Sequence, residues 1–401
     1  MKISANARKA IYIGSLCSTS YLAVYIARNI LSAVTPQMIA AGYTKDYIAS
    51  ISSLYLVFYA VGQLINGAIG DRIKAKWMIA GGLLGAGAMN LVFSLVAATP
   101  IMAMAAYGLT GFFLSMIYGP MTKVVSENTE PLYTTRCSLG YTFASFFGTP
   151  SAGLLASFLA WESVFAVSSA VLGGMAVIAF VFFSLFERRG IVKYGQYKPQ
   201  KEQGGKSTVK ELCAHKIVKF AIIALLTGVV RTSVVFWLPT YINENLGMQQ
   251  SESIFAVATF IISFTAFISV FVYEKLGHDM NKTILLMFSS SAIFFTLTYF
   301  VQIPVLNLVF IVLAIMSSNG ASTMMYSRYC PSLRDTGRVS SVTGFLDFLS
   351  YMSAAAANLI FGNAVDTIGW GNLILVWLGL MIVGVINALP YDKIKEKRKR
   401  A

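Results

Sequence analysis

Charge is scarce in this 401-residue chain. Asp, Glu, Lys and Arg make up 12% of it, against 56% hydrophobic residues. An ordinary soluble domain carries about 25% charge, so a water-soluble globule is excluded by composition. Histidine occurs twice, at His215 and His278, and both positions fall in polar stretches. No histidine is therefore available as a proton relay inside an apolar segment. The four cysteines, Cys17, Cys137, Cys213 and Cys330, are scattered without paired spacing. Neither a disulfide framework nor a metal site follows from them. No nucleophile–base pair, metal cluster or G-x4-G-K-[ST] loop is present, which argues against an enzyme, a bound cofactor and direct ATP-driven pumping. The first apolar run is too long for a signal core and lacks a small-residue cleavage site, so it is expected to be a mature span.

Apolar sequence fills the rest, with mean hydropathy +0.68. Twelve segments long enough to cross a bilayer can be marked, near 10–36, 47–70, 77–98, 101–124, 133–159, 163–186, 216–241, 252–275, 282–301, 304–328, 338–365 and 370–390. Small residues run through them, as in GGLLGAGAMN and SAAAANLIFG, and allow close helix contact where lipid removes the usual hydrophobic drive. The expected architecture is an all-α integral membrane protein of twelve transmembrane helices. It divides into an N-terminal six-helix half (1–186), a linker (187–215), a C-terminal six-helix half (216–390) and a basic tail (391–401).

The net charge of +14 is distributed on one side. Apart from Arg28, Lys45 and Arg231, all of the 31 Lys and Arg residues fall in the N-terminus, the tail and alternate loops. This is the positive-inside pattern and predicts that both termini face the cytoplasm. The tail KIKEKRKR then reads as a topology signal near anionic lipid rather than as a nucleic-acid site.

The halves repeat. Arg28 and Arg231 each open an R-x7-P pattern, 203 residues apart. Asp71-Arg72 after the second span and Glu274-Lys275 after the eighth stand at the same offset, and Arg136 and Arg338 are 202 apart. Two parallel repeats about a central axis are an architecture of alternating-access transporters. Arg28 and Arg231 lie mid-span, where a charged residue costs about 2.5–3.5 kcal/mol on insertion scales. Equivalent places in two repeats point both guanidiniums at the shared axis, where their donor forks suit phosphate or carboxylate. Structural ion pairing is the competing reading.

Tyr21, Tyr25 and Arg28 share one helix face and add phenol hydroxyls beside the cation. Gln63, Tyr118, Trp237, Asn319 and Tyr351 are further substrate-binding candidates at cavity depth, as are Tyr59, Tyr141, Tyr326 and Asn358. Asp347, in GFLDFLSY, is the third intramembrane charge. It could take up a proton, hold a substrate ammonium or pair with an arginine. Asp71, Arg72, Glu274 and Lys275 are expected to gate, latching helix ends in one conformation and releasing them in the other.

The twelve spans, the six-plus-six split and G-x3-D-R after span two resemble the major facilitator superfamily. Lys74 and Ala75 depart from the usual end of that motif. YLAVYIARN, VVRTSVVFWLPTYI and GRVSSVTGFLDFLSYMSAAAANLIFGNAVDTIGW resemble spans one, seven and eleven of the organophosphate:phosphate antiporter family. The resemblance implies that Arg28 and Arg231 bind a phosphoryl group, that an organic phosphate exchanges for inorganic phosphate, and that the protein is a monomer in a bacterial plasma membrane. Three positions depart. Gln63 stands where glycerol-phosphate and hexose-phosphate carriers have lysine, Phe143 where the glycerol-phosphate carrier has histidine, and Asp347 where a small residue is usual.

The expected function is secondary transport of a small organic anion, a phosphate ester or phosphonate, by alternating access. Inorganic phosphate or a proton would be the coupled species. The alternative is a proton-coupled symporter of a carboxylate or zwitterionic solute using Asp347. A non-transporting sensor would be expected to carry a signalling domain, and the longest loop, Glu187 to Lys219, is too short and too rich in Gly and Lys for one.

Overall fold

The computed structural model describes residues 4–70, 73–194, 216–333 and 339–389. The expected linker beyond Tyr194, the basic tail, Asp71, Arg72 and Arg338 lie outside the described residues. The chain is all-helical. The first half runs α1 (Ala5–Ala40), α2 (Lys45–Gly70), α3 (Ala75–Val96), α4 (Pro100–Asn128), α5 (Pro131–Phe158) and α6 (Trp161–Arg188). The second half runs α7 (Ile217–Glu244), α8 (Ser251–Lys275), α9 (Met280–Phe300) and α10 (Pro304–Ser332). It ends in a helical stretch, Val339–Ala388, which holds α11 and α12.

Among the described residues ten helices are long and apolar enough to cross a membrane by composition alone. The difference from twelve has two physical causes. Gly369, at φ 76°, breaks Val339–Ala388 into α11 and α12, a conformation that glycine adopts without a Cβ penalty. Helix α5 is long enough, but Arg136 and several hydroxyl residues dilute its hydropathy. The twelve-span architecture read from sequence therefore holds.

Local signals set the helix starts. Ser4 caps α1 by accepting from the Ala7 amide, and Asp279 caps α9 by accepting from Lys282. Proline occupies the first turn of α4, α5 and α10, where its missing N–H costs nothing. The outward faces carry large apolar side chains such as Leu95, Ile101, Phe158 and Phe300, as a lipid-facing surface requires.

Polar bonds between the halves gather on the side of Lys45, opposite the described N-terminus. The Ser32 hydroxyl of α1 donates to the Phe236 carbonyl of α7 at 2.8 Å, and the Val235 carbonyl is 3.4 Å away. Pro239 cannot donate to the Val235 carbonyl four residues before it, so the α1 serine covers a gap in the α7 ladder. Ser53 donates to the Ala355 carbonyl at 2.7 Å, and Asn358 to Ser52 at 2.7 Å. Ser32 and Val235 are themselves equivalents at the 203-residue offset. Residues related by the repeat can meet only close to the axis, so α1 and α7 cross there, one turn beyond the two arginines.

Gly228 allows α7 to lie against α11 just before Arg231, because a Cβ there would fall on the Ser350 backbone carbonyl. Overpacking of this kind costs about 1–3 kcal/mol. Gly228→Ala is expected to lower the thermal midpoint in detergent by several degrees. Gly174→Ala, whose added Cβ meets open space, should leave it unchanged or raise it slightly. Equal melting of wild type and Gly228→Ala would show that the two helices are not locked at this point.

Candidate functional site

Arg28 on α1 and Arg231 on α7 line one cavity of about 560 Å³. The Arg28 guanidinium carbon stands 4.9 Å from the centroid of the Tyr351 ring, and that of Arg231 stands 5.7 Å from the same centroid. One α11 phenol is therefore shared by the two cations. Arg28 also faces the Tyr59 ring at 5.3 Å and the Tyr25 ring at 5.9 Å. An aromatic face stabilises a guanidinium by about 0.5–1 kcal/mol when exposed and about 2 kcal/mol when desolvated, without occupying its N–H donors. Among the described residues no carboxylate lies within ion-pair distance of Arg28, so its donors remain open to a ligand.

Arg231 is held differently. It lies in a π-helical turn, Val229–Val234, inside α7. Its Nη2 donates to Ser350 Oγ at 3.4 Å and lies 3.8 Å from Asp347 Oδ1. The second distance is an ion pair beyond hydrogen-bond reach. Asp347 accepts its hydrogen bond from the Tyr326 hydroxyl at 3.1 Å. Tyr326 also lies in a π-helical turn, Met325–Tyr329 of α10, and its ring faces Arg231 at 5.8 Å. Such turns widen a helix by one residue and recur at functional sites. Neither was legible in the sequence, which carries no local signal for them. Of the three roles open to Asp347, the geometry adds an arginine partner and a phenol donor.

The remaining walls are rich in hydroxyls and amides: Asn29, Ser32, Ser145, Thr149, Ser322 and Thr323 are among them. Tyr55 Oη, Asn319 Oδ1 and Asn358 Oδ1 are buried without a protein partner, and all three residues face the cavity. Buried polar atoms usually find partners, so these three suit a polar ligand or water.

The structure brings Tyr25, Arg28, Arg231, Asn319 and Tyr351 into one lining. Tyr21, Gln63, Tyr118 and Trp237 fall outside it. Tyr21 packs edge-on to Tyr25 at 5.0 Å and against Tyr118 at 5.3 Å, extending the aromatic wall toward the N-terminal side. Tyr118 is 44% exposed there, and Gln63 is half-buried one turn past Tyr59. Trp237 sits six residues past Arg231, on another face of a helix with 3.6 residues per turn. It packs against Gly362 of α11 instead. Of the gate candidates, Glu274 and Lys275 are exposed at the end of α8, where Lys275 faces the Phe271 ring at 5.6 Å.

Sequence reasoning missed a cluster at the opposite end. Lys45, at the start of α2, lies 2.8 Å from Glu244 of α7 and 2.6 Å from Asp366 of α11. Its side chain is only 12% exposed, and Trp370 Nε1 donates to the same Glu244 at 3.1 Å. One first-half cation thus ties two second-half helices on the side where the halves meet. Its isolation from the other cations was the available signal.

This is the architecture of a membrane transporter: two six-helix halves, a polar cavity on their common axis and charges held inside the bilayer. The Major Facilitator Superfamily profile matches residues 17–358, and the chain belongs to that family of transporters, not enzymes. It is 21% identical to the membrane sensor protein UhpC of Escherichia coli K12, over 94% of this chain and 91% of that protein. It is 21% identical to the glycerol-3-phosphate transporter of Bacillus subtilis 168, over 96% of this chain and 92% of the relative. In fold it is similar to an inward-facing, unoccupied bacterial homolog of the human lysosomal transporter Spinster, with TM-score 0.75 and 14% identity over 95% of this chain and 93% of that one. The match to a protein named a sensor leaves little of that relative uncovered, which removes the expectation that a sensor must carry an added domain.

Loss of Lys45 leaves Glu244 and Asp366 facing each other without their shared cation. Lys45→Ala is expected to open the joined side more often. A cysteine at cavity residue Ser263, with the native cysteines replaced, should then react several-fold faster with a membrane-impermeant maleimide added on that side. An unchanged rate would mean that the hydrogen bonds Ser32 and Ser53 donate, and the one Ser52 accepts, hold the closure alone.

Proposed function

We propose that this chain is a secondary transporter of a small organic anion, a phosphate ester or phosphonate, bound between Arg28 and Arg231. The observation that carries the reading is the pair of repeat-related guanidiniums on one Tyr351 ring, one of them without a carboxylate partner among the described residues. Two forks of donors across one polar cavity suit a tetrahedral oxyanion, which accepts on several oxygens at once. The hydroxyl and amide walls suit a hydroxylated organic part. Relatives named for glycerol 3-phosphate and hexose phosphate transport support the same substrate class.

The mechanism is alternating access. An anion that bridges both guanidiniums offsets their mutual repulsion and draws the halves together around it. The loaded carrier then crosses the occluded state more readily than the empty one, which yields exchange. The one-sided basic loops support an orientation with both termini in the cytoplasm. On that placement the side joined by Lys45 is external, and the conformation described is inward-facing.

A thermal-stability screen on purified protein tests the site. Inorganic phosphate, phosphate monoesters, phosphonates and dicarboxylates are compared in wild type and Arg231→Ala. A ligand at about 100 times its dissociation constant adds about 2.7 kcal/mol of stability. Phosphoryl compounds are expected to stabilise wild type and not the variant. Arg28→Lys keeps the charge but loses the fork, and should bind at least about tenfold more weakly, since a charged hydrogen bond contributes about 1.5–3 kcal/mol. Counterflow in proteoliposomes then separates transport from sensing: binding without exchange would make the protein a sensor. Full exchange by Arg231→Ala would sink the two-arginine site.

A further inference from the structure

The three charges at the cavity do not cancel. Arg28 and Arg231 carry two positive charges and Asp347 one negative, so the empty site holds one net positive charge. A singly charged anion balances it. A doubly charged one, such as a fully ionised phosphate monoester, leaves one net negative charge in a poorly solvated place, and uncompensated buried charge is costly.

Asp347 is placed to relieve that excess. It shares the Arg231 guanidinium with the cavity: its Oδ1 is 3.8 Å from Nη2, while Arg231 and Tyr326 both line the cavity wall. An anion seated on Arg231 is thus held by the same cation as Asp347. The pairing with Asp347 is not a hydrogen bond, so the carboxylate can become neutral without breaking one to Arg231. A carboxyl there keeps its contact with the Tyr326 hydroxyl in either form, because that hydroxyl can donate or accept. The carboxylate side chain is 25% exposed, which leaves a route for a proton from water.

The other titratable neighbours are Arg231 on α7, Tyr326 and Cys330 on α10, Tyr351 on α11, Tyr59 on α2 and Tyr118 on α4. Arginine, phenols and a thiol keep their ordinary protonation between about pH 5 and about pH 7. Of the two histidines, His278 is exposed in the turn before α9 and His215 lies outside the described residues. Asp347 is the one carboxyl among these described neighbours, and a like charge brought close favours the neutral form of a carboxyl.

We propose that the site is matched to one net negative charge, so that a doubly charged anion is bound and carried together with one proton, which is taken by Asp347. The proposal rests on the two-arginine reading of the site. On it, a dianionic ester crosses as an anion–proton pair, and transport of such esters follows the proton gradient. A singly charged anion crosses without a proton.

Sulfate and methyl sulfate are the probes, because neither titrates in this range and they differ by one charge. Calorimetric titration of wild-type protein in two buffers of different ionisation enthalpy counts the protons taken up. Sulfate is expected to bring about one proton per ion, with affinity rising up to about tenfold per unit fall in pH. Methyl sulfate should bring none. Asp347→Asn should bind sulfate with no proton uptake and no dependence on pH. Sulfate binding to wild type without proton uptake, or uptake that persists in Asp347→Asn, would overturn the coupling and leave the anion site standing. If neither probe binds, or Arg231→Ala binds both as wild type does, the two-arginine site falls and the coupling with it.

Discussion

Two guanidiniums that cannot give up their protons stand within the thickness of the bilayer, and the polar features around the axis are arranged about them. A neutral side chain could be left against lipid or helix at little cost; an arginine there needs compensation. The compensation is mostly aromatic. Tyr25, Tyr59 and Tyr351 surround Arg28, and Tyr326 and Tyr351 face Arg231. Ring faces lower the energy of a cation while leaving its N–H groups directed elsewhere. Such an arrangement leaves donors free for the anion of the proposed reading, which a pair of full carboxylate salt bridges would prevent.

The same two helices join the halves. The spacing that places each arginine eight residues before a proline also places Ser32 and Val235 one turn past the arginines, and there α1 meets α7. A proline in α7 leaves a carbonyl without an amide, and a serine from the other half comes to it. Closure of this side and placement of the cations are consequences of one crossing. Lys45, farther out, adds a charged tie between α2, α7 and α11. Any motion that opens this side has to release the crossing, and the crossing moves the arginines with it. This is how binding on the axis can be felt at the closed end.

The twelve spans, the two halves and the arginine pair were legible because each rests on a strong local signal: long apolar runs, a repeated offset, and charge where charge is costly. The expected spans near 101–124, 133–159 and 304–328 begin within two residues of Pro100, Pro131 and Pro304, which open α4, α5 and α10. What stayed hidden depends on helix phase or on distant partners. Trp237 is aromatic and close to Arg231 in sequence, yet its phase turns it toward Gly362. The π-helical turns carrying Arg231 and Tyr326 shift that phase by part of a turn, and no residue type announces them. The isolation of Lys45 was visible, but its partners Glu244 and Asp366 lie in helices far along the chain. Tyr55 became notable only once burial showed its hydroxyl without a protein partner.

The repeat also locates a difference in charge between the halves beside the cavity. By the 202-residue spacing that relates Arg136 to Arg338, the α5 counterpart of Asp347 is Ser145. Ser145 lines the cavity on the Arg28 side, as Asp347 lies beside Arg231. The arginines were kept in both halves and the acid in one, so the symmetry of the fold is broken electrostatically at the site itself. Arg28 is an open cation in an aromatic cage; Arg231 is a cation already half-balanced. On the proposed reading, an entering anion would meet its stronger field at Arg28 and complete its binding at Arg231, where its charge would add to that of Asp347. On that reading the balance among three charges, rather than the two arginines alone, would decide which anions the cavity accepts and whether a proton goes with them.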